Sequence, residues 1–299
     1  MPHPSIHQIS VTTASESEDA IAALLERLFG ERPSVYCDAQ KRMSTVSVYL
    51  ERFPGSRAQA QSHLRDGLKA IHGCGLRPSR ARVAFRRIRS EDWAESWKKH
   101  FKPLEIGRAL LIKPTWSDRR PRLNQAVVVL DPGLSFGTGQ HATTIFCLEQ
   151  LVTRRRPGDP QSFLDVGTGS GILAIAAAKL GYRPVHAFDC DSTAIRVAKA
   201  NALLNHAEGL IRFYHKDLRR MPADAHRKFH LICANLVSDL LIEQSKRILS
   251  LLEPNGILVL AGTLAVQFAQ VGSVYKAAGL RLIETRTTKE WRSAAFCPK

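Results

Sequence analysis

Apolar positions change period repeatedly along the first ninety residues. Val46, Val48 and Leu50 alternate with polar neighbours, the two-residue repeat of a strand with one covered face. Ala20, Ile21, Leu24, Leu25 and Leu28 instead recur at helical spacing, behind a first turn that carries Glu18 and Asp19. The same reading predicts strands over residues 6–12, 34–37, 43–50 and 81–88, and helices over 17–29 and 57–71, the latter closed by Gly73 and Gly75. The order β-α-β-β-α-β is that of a small ferredoxin-like α+β domain.

A bridge follows. Residues 91–101 predict a short amphipathic helix, in which Trp93 and Trp97 read as packing between domains, and residues 104–114 and 125–130 read as extended. From residue 162 onward, strands and helices alternate, the pattern of a parallel, doubly wound α/β sheet of Rossmann-like type. The predicted strands are 162–166, 185–188, 211–215, 231–234, 257–261, 280–285 and 293–296, with helices including 172–180, 193–205 and 240–252. The division expected is 1–88 as the small α+β domain, 89–125 as linker and bridging elements, and 126–299 as the α/β domain.

Candidate chemistry gathers where the first of those strands ends. Phe163-Leu164-Asp165-Val166 runs into Gly167-Thr168-Gly169-Ser170-Gly171, and a helix follows at once. Glycines at every second position let a backbone approach a ligand closely, and a helix start offers unpaired N–H groups. The spacing is shorter than the G-x-G-x-x-G that surrounds a pyrophosphate, so a nucleoside without phosphates is expected, S-adenosylmethionine being the candidate. Asp165 and the loop amides would face its methionine end. Asp189, eighteen residues past Gly171 at the tip of the second strand, suits the ribose hydroxyls. The alternative for Asp189 is a helix cap, a task that Asp191 or Ser192 also fits. Asn235 ends the fourth strand and would enter the same cleft, with an amide able to hold an amine without taking its proton; an Asx turn is the alternative.

Composition narrows the setting. At 299 residues with 44% hydrophobic content, a sizeable core is affordable, and no run approaches the roughly 20 apolar residues of a membrane span. The six cysteines are scattered, without C-x-x-C or a zinc-like Cys/His spacing, so neither metal nor disulfide framework is expected and a cytoplasmic setting is inferred. Residues 1–4 show no signal-peptide pattern. The formal charge of +16 stands apart, with part of it clustered between Arg77 and Arg89; a field of that size attracts acidic partners or nucleic acid.

Residues 131–144, the glycine loop, Ala234-Asn235, Lys289-Glu290-Trp291 and the Trp93-x-x-x-Trp97-x-x-x-Phe101-x-Pro103 stretch together resemble the ribosomal protein L11 methyltransferase family. The resemblance is close over roughly residues 90–299, while residues 1–89 fit by element order. It implies an S-adenosylmethionine-dependent enzyme that methylates lysine ε-amines and the α-amine of a ribosomal protein. It places cofactor contacts at Thr144, Gly167, Asp189 and Asn235, beside Asp165, Gly169 and Gly171, with Phe136, Gly137 and Thr138 as a wall of the same pocket. Gln140-His141-Ala142-Thr143-Thr144 stands where the family has Thr-His-Pro-Thr-Thr, and Thr168 where Cys is common. The reaction implied is in-line displacement by a neutral amine, with Asn235 as the catalytic residue orienting it. No side chain reads as a dedicated base; His141 is the nearest by sequence. Alternatives on the same scaffold are a methyltransferase of another protein's lysines, a nucleic-acid methyltransferase, which Leu236-Val237 after Asn235 disfavours, and a non-catalytic RNA-binding protein. Contact with ribosomal RNA is retained as a secondary partner for the charge.

Overall fold

The computed structural model describes residues 5–14, 17–31, 33–38, 43–50, 52–53, 55–73, 82–89, 102–131, 141–156, 158–222 and 227–299. It divides into two compact units, Met1–His100 and Phe101–Lys299.

In the first unit, β1 (Ser5–Ala14), α1 (Glu18–Phe29), β2 (Ser34–Asp38), β3 (Met43–Leu50), α2 (Arg57–Gly73) and β4 (Arg82–Arg89) follow the expected order. The strands pair antiparallel in the order β2-β3-β1-β4, the ferredoxin-like arrangement. Alternation decides the faces. Ile9 and Val11 of β1 and Val46, Val48 and Leu50 of β3 are buried against Ile21, Leu24 and Leu25 of α1 and Leu64 of α2. Cys74, Trp93 and Trp97 lie outside the described residues, as does the predicted bridging helix.

The second unit opens with a small sheet of β5 (Leu104–Ile106), β6 (Leu110–Lys113) and β7 (Ala126–Val129). The stretch expected to run extended from 104 to 114 is a hairpin instead, turned at Gly107 with φ of 55°. Its Ile106, Leu110 and Ile112 belong to the core of the α/β unit. On the outer edge of β7, Asn205 acts as a substitute for a strand. Its Oδ1 accepts from the Val129 amide and its Nδ2 donates to the Val129 carbonyl, both at 2.7 Å.

The main elements follow as α3 (Ala142–Arg154), β8 (Phe163–Val166), α4 (Ile172–Leu180), β9 (Val185–Asp189), α5 (Ser192–Leu204), β10 (Ile211–His215), β11 (Phe229–Asn235), α6 (Ser238–Glu243), α7 (Ser245–Ser250), β12 (Leu252–Leu264), α8 (Phe268–Ala277), β13 (Leu280–Thr288) and β14 (Trp291–Pro298). Seven strands form one sheet in the order β10-β9-β8-β11-β12-β14-β13. It is mostly parallel; β14 runs antiparallel between β12 and β13, a departure from the all-parallel expectation. The short β13–β14 connection explains it, because consecutive strands joined by a tight turn pair antiparallel.

Both faces are covered. Phe163, Ile175, Tyr182, Val185 and Phe146 pack on one side, and Leu164, Val166, Phe188, Ile232, Leu258 and Tyr275 on the other. All four residues of β8 are therefore buried, as in sheets clad on two sides. The helix expected over 240–252 is two helices broken at Gln244, and Leu252 already starts β12. Helices α3 and α8 were not anticipated.

Candidate functional site

Strand order reverses between β8 and β11, since β8 leads outward to β9 and β10 while the chain returns to β8's other side as β11. Crevices at such reversals, beyond the carboxyl ends of the strands, are where open α/β sheets take ligands. The register shows what stands there. Val166 pairs with Ala234 on one side and Phe188 on the other, so the next residue on each strand, Gly167, Asn235 and Asp189, sits at one level. Neighbouring strands are about 4.8 Å apart, so these three span a site about 10 Å wide.

The loop is built from backbone. The Gly167 and Thr168 amides both donate to the Phe188 carbonyl at 3.0 Å, anchoring the turn to β9. Gly167 has φ of 75°, and a Cβ there would lie 2.5 Å from Leu236 Cδ2. Only glycine meets both demands. Gly169 donates its amide to Asp189 Oδ2 at 3.0 Å, and Gly171 precedes α4, whose Ile175 amide reaches the Gly171 carbonyl at 2.9 Å. Asp189 Oδ1 accepts from the Asp191 amide at 3.0 Å. Both oxygens of Asp189 are thus oriented by backbone, each with a lone pair left over. The helix-cap alternative goes to Asp191, which accepts from the Thr193 amide at 2.7 Å.

Asp165 lies beneath the loop with no exposed surface. Burial raises its carboxyl to about 7, opposed by a hydrogen bond of 2.7 Å from the Thr168 hydroxyl and by the Ala174 amide, while Asp189's charge adds to the rise. Its Oδ1 makes no ordinary hydrogen bond among the described residues. The neighbouring Cys233 thiol is pushed well up by burial and by its hydrogen bond with Cys147 of α3. That contact holds α3 against β11, and the helix also packs over β12 and β14. Thr144 precedes Cys147 by three residues and so lies on the same face of the helix, buried. Its buried Oγ1 also has no hydrogen-bond partner among the described residues. Asn235 packs its side chain on Gly262, where a Cβ would be 3.0 Å from Asn235 Oδ1, and no Asx bond forms among the described residues.

The start of α3 is fixed by the start of β14. His141 Nδ1 lies 2.7 Å from Thr143 Oγ1, and its ring meets Trp291 edge-on with centroids 4.9 Å apart. Burial lowers its affinity for a proton, with Glu290 opposing and Lys289 assisting, so His141 is neutral at pH 7. Phe136, Gly137 and Thr138 lie outside the described residues.

A groove of about 560 Å³ beside Asp189 was not anticipated. Cys190, His215, Lys216, Asp217, Arg220 and Met221 line it, and His215 Nε2 lies 2.9 Å from the Cys190 carbonyl oxygen. Asp217 follows β10 by two residues, so the strand-end argument applied to Asp189 would have found it. Two orphaned buried oxygens, a glycine loop that admits no Cβ and this groove fit an elongated, cationic nucleoside.

Comparison with known proteins decides the family. Residues 5–297 match the family described as "Ribosomal protein L11 methyltransferase (PrmA)". This chain belongs to the ribosomal protein L11 methyltransferase family. A ribosomal protein L11 methyltransferase of Caldicellulosiruptor bescii is 32% identical over 95% of this chain and 96% of its own. One from Geobacter sulfurreducens is 38% identical, covering 85% and 81%. The crystal structure of ribosomal protein L11 methylase from Lactobacillus delbrueckii subsp. bulgaricus superposes with a TM-score of 0.59 at 32% identity, over 67% of this chain and all of that one. As a member of this family the chain is an S-adenosylmethionine-dependent methyltransferase. No helix among the described residues is long and apolar enough to cross a membrane, and no group of three or more His, Cys, Asp or Glu among them is placed to hold a metal ion.

Proposed function

We propose that this protein transfers methyl groups from S-adenosylmethionine to amino groups of ribosomal protein L11, lysine ε-amines and the α-amine among them. The observation that carries the reading is the levelling of Gly167, Asp189 and Asn235 on three adjacent strands at the sheet's reversal point, in a chain that matches this family over residues 5–297. In the proposed arrangement the ribose hydroxyls bind Asp189, the methionine amine lies toward Asp165 and Thr144, and the base enters the groove lined by Cys190, His215 and Asp217. Gly167, Gly169 and Gly171 bring backbone alongside. Phe136, Gly137 and Thr138 are proposed as a further wall of this pocket on the family resemblance alone.

When bound, S-adenosylmethionine supplies an electrophilic sulfonium methyl. The protein's part is alignment and exclusion of water. A lysine ordinarily titrates near 10.4, so it must lose its proton before it attacks. Asn235 Oδ1 accepts a hydrogen bond from that amine and points its lone pair inward, without removing a proton. His141, neutral and held between Thr143 and Trp291, braces the start of α3.

Residues 1–88 are proposed to dock the substrate protein, 89–125 to join the two parts, and 126–299 to carry the chemistry. Cys147, Cys190, Cys233 and Cys297 are free thiols, which suits a cytoplasmic enzyme working on ribosomal proteins. The direct experiment is mass spectrometry of L11 incubated with the protein and S-adenosylmethionine. Mass increments of 14 Da on wild type, absent with Asn235→Ala, are expected. Unmodified L11 despite calorimetric binding of the cofactor would reject L11 as the substrate. Removal of residues 1–88 should abolish methylation of L11 and leave cofactor binding intact.

A further inference from the structure

Helix α5 meets the glycine turn and the small sheet along one face. Ala198, Asn201 and the capping Asn205 are spaced three and four residues apart and so form a single stripe on it. Ala198 is the point of contact. A Cβ on Gly171 would lie 3.0 Å from the Ala198 Cβ and 3.1 Å from its Cα, so the turn rests directly on the helix. One turn further on, Asn201 donates from Nδ2 to the Ser170 carbonyl at 2.8 Å. Asn205 then donates from Nδ2 to the Asn201 carbonyl at 2.8 Å and to the Val129 carbonyl of β7 at 2.7 Å, while its Oδ1 accepts from the Val129 amide at 2.7 Å. Only 3% of Asn205 is exposed, and both its amide hydrogens and its oxygen are engaged within the protein.

Two features set Asn201 apart from an ordinary helix position. Asparagine is a weak helix former, because its amide competes for backbone partners, yet it stands inside α5 between Ala200 and Ala202. The turn it holds is also one that needs outside support. Gly167, Gly169 and Gly171 have φ of 75°, 52° and 83°, and glycine has many other conformations open to it. The Phe188 carbonyl holds the Gly167 and Thr168 amides, and Asp189 Oδ2 holds the Gly169 amide. Those three restraints all come from β9, and the last comes from the carboxylate proposed for the ribose. Asn201 supplies an opposing hold from α5, on a carbonyl, at the end of the turn that enters α4.

We propose that Asn201 and Asn205 are positioning residues for the cofactor, a relay of two amides that ties the glycine turn through α5 to β7. Asn201 acts on the cofactor through the Ser170 carbonyl, and Asn205 acts through Asn201. Groups that bind a ligand are effective only when held to within about 0.5 Å, and the relay supplies that rigidity from the framework and not from the ligand. The inference rests on the proposed placement of the cofactor beside Gly167, Gly169 and Gly171.

Calorimetry of the full chain with S-adenosylhomocysteine, with Tm recorded in parallel, tests it. Asn201→Ala should weaken binding about three- to tenfold, the effect of one hydrogen bond. Alanine is the better helix former, so that loss is not one of helix. Asn201→Asp, of the same size but without the donor, should lose at least as much. Asn205→Ala should weaken binding about two- to fivefold by itself and add nothing once residue 201 is alanine, as members of one relay do. Tyr275→Phe, which loses a bond in the core on the opposite face of the sheet, gives the comparison of a lowered Tm with unchanged affinity. Should Asn205→Ala fail to fold, the two Asn201 variants decide the matter. Asn201 variants that bind as tightly as wild type, whatever their Tm, or losses at 201 and 205 that multiply, would overturn the proposal. Gly167→Ala separates this outcome from the placement it rests on: if that variant also binds like wild type the placement fails, and if it alone is weakened the relay fails.

Discussion

Asp165 makes cofactor affinity depend on pH in a direction the structure fixes. In the folded protein its carboxyl titrates at about 7, against 3.8 when unperturbed, and burial is the main cause. The unfolded chain therefore loses this proton near pH 4 and the folded chain near 7. Between those values the folded state binds more protons, so Asp165's contribution to stability falls as pH rises through that window and is flat above it. A cationic methionine amine beside Asp165 reverses the preference and favours the carboxylate. The ionised fraction of a group titrating at 7 rises from about 9% at pH 6 to 50% at pH 7, so affinity for the ligand should rise about fivefold. An α-amine, titrating near 7.7–8.0, remains largely cationic throughout that interval. Calorimetry with S-adenosylhomocysteine at pH 6, 6.5 and 7 measures the effect, and repeating it in buffers of different ionisation enthalpy counts the proton released. Asp165→Asn should bind more weakly and show no rise. A wild-type affinity that stays level over that unit of pH, or an Asn variant with the same slope, would refute the placement of the amine.

Gly167→Ala adds about 1–2 kcal/mol of left-handed backbone strain and pushes the Leu236 side chain aside, and should show a lowered Tm together with weakened cofactor binding. Asp189→Ala should weaken cofactor binding ten- to a hundredfold, the cost of about 1.5–3 kcal/mol for a charged hydrogen bond. Asp191→Ala, two residues away, should instead lose about 1 kcal/mol of stability as α5 loses its cap, with affinity unchanged by calorimetry. Tyr275→Phe removes the 2.9 Å bond to the buried Leu241 carbonyl and should cost about 1–3 kcal/mol in denaturant unfolding, with no effect on the cofactor.

Much of this architecture was legible because local and global signals agree. The strand Phe163–Val166 and the helix Ile172–Leu180 are mostly apolar and buried almost throughout, with a glycine turn between them, so all three were visible in the sequence. Helix α3 was hidden for the opposite reason. It opens with Thr143 and Thr144, β-branched residues of weak helical preference, directly after a glycine-rich stretch, and its helical character rests on burial of Phe146, Cys147, Leu148 and Leu151. The antiparallel insertion of β14 is a property of pairing between distant strands, which alternation within each strand does not encode. The groove escaped notice because its lining comes from two strand ends and the turn after β10, with Asp217 performing a local capping task that masks its position at a strand end.

The amide of Asn205 has a consequence beyond holding α5 to β7. By occupying both outward-facing backbone groups of Val129, it withdraws the rung that a stray strand from another molecule would need in order to add itself to the small sheet. A helix terminus thereby guards an edge against runaway polymerisation, using one side chain where a whole extra strand would otherwise be required.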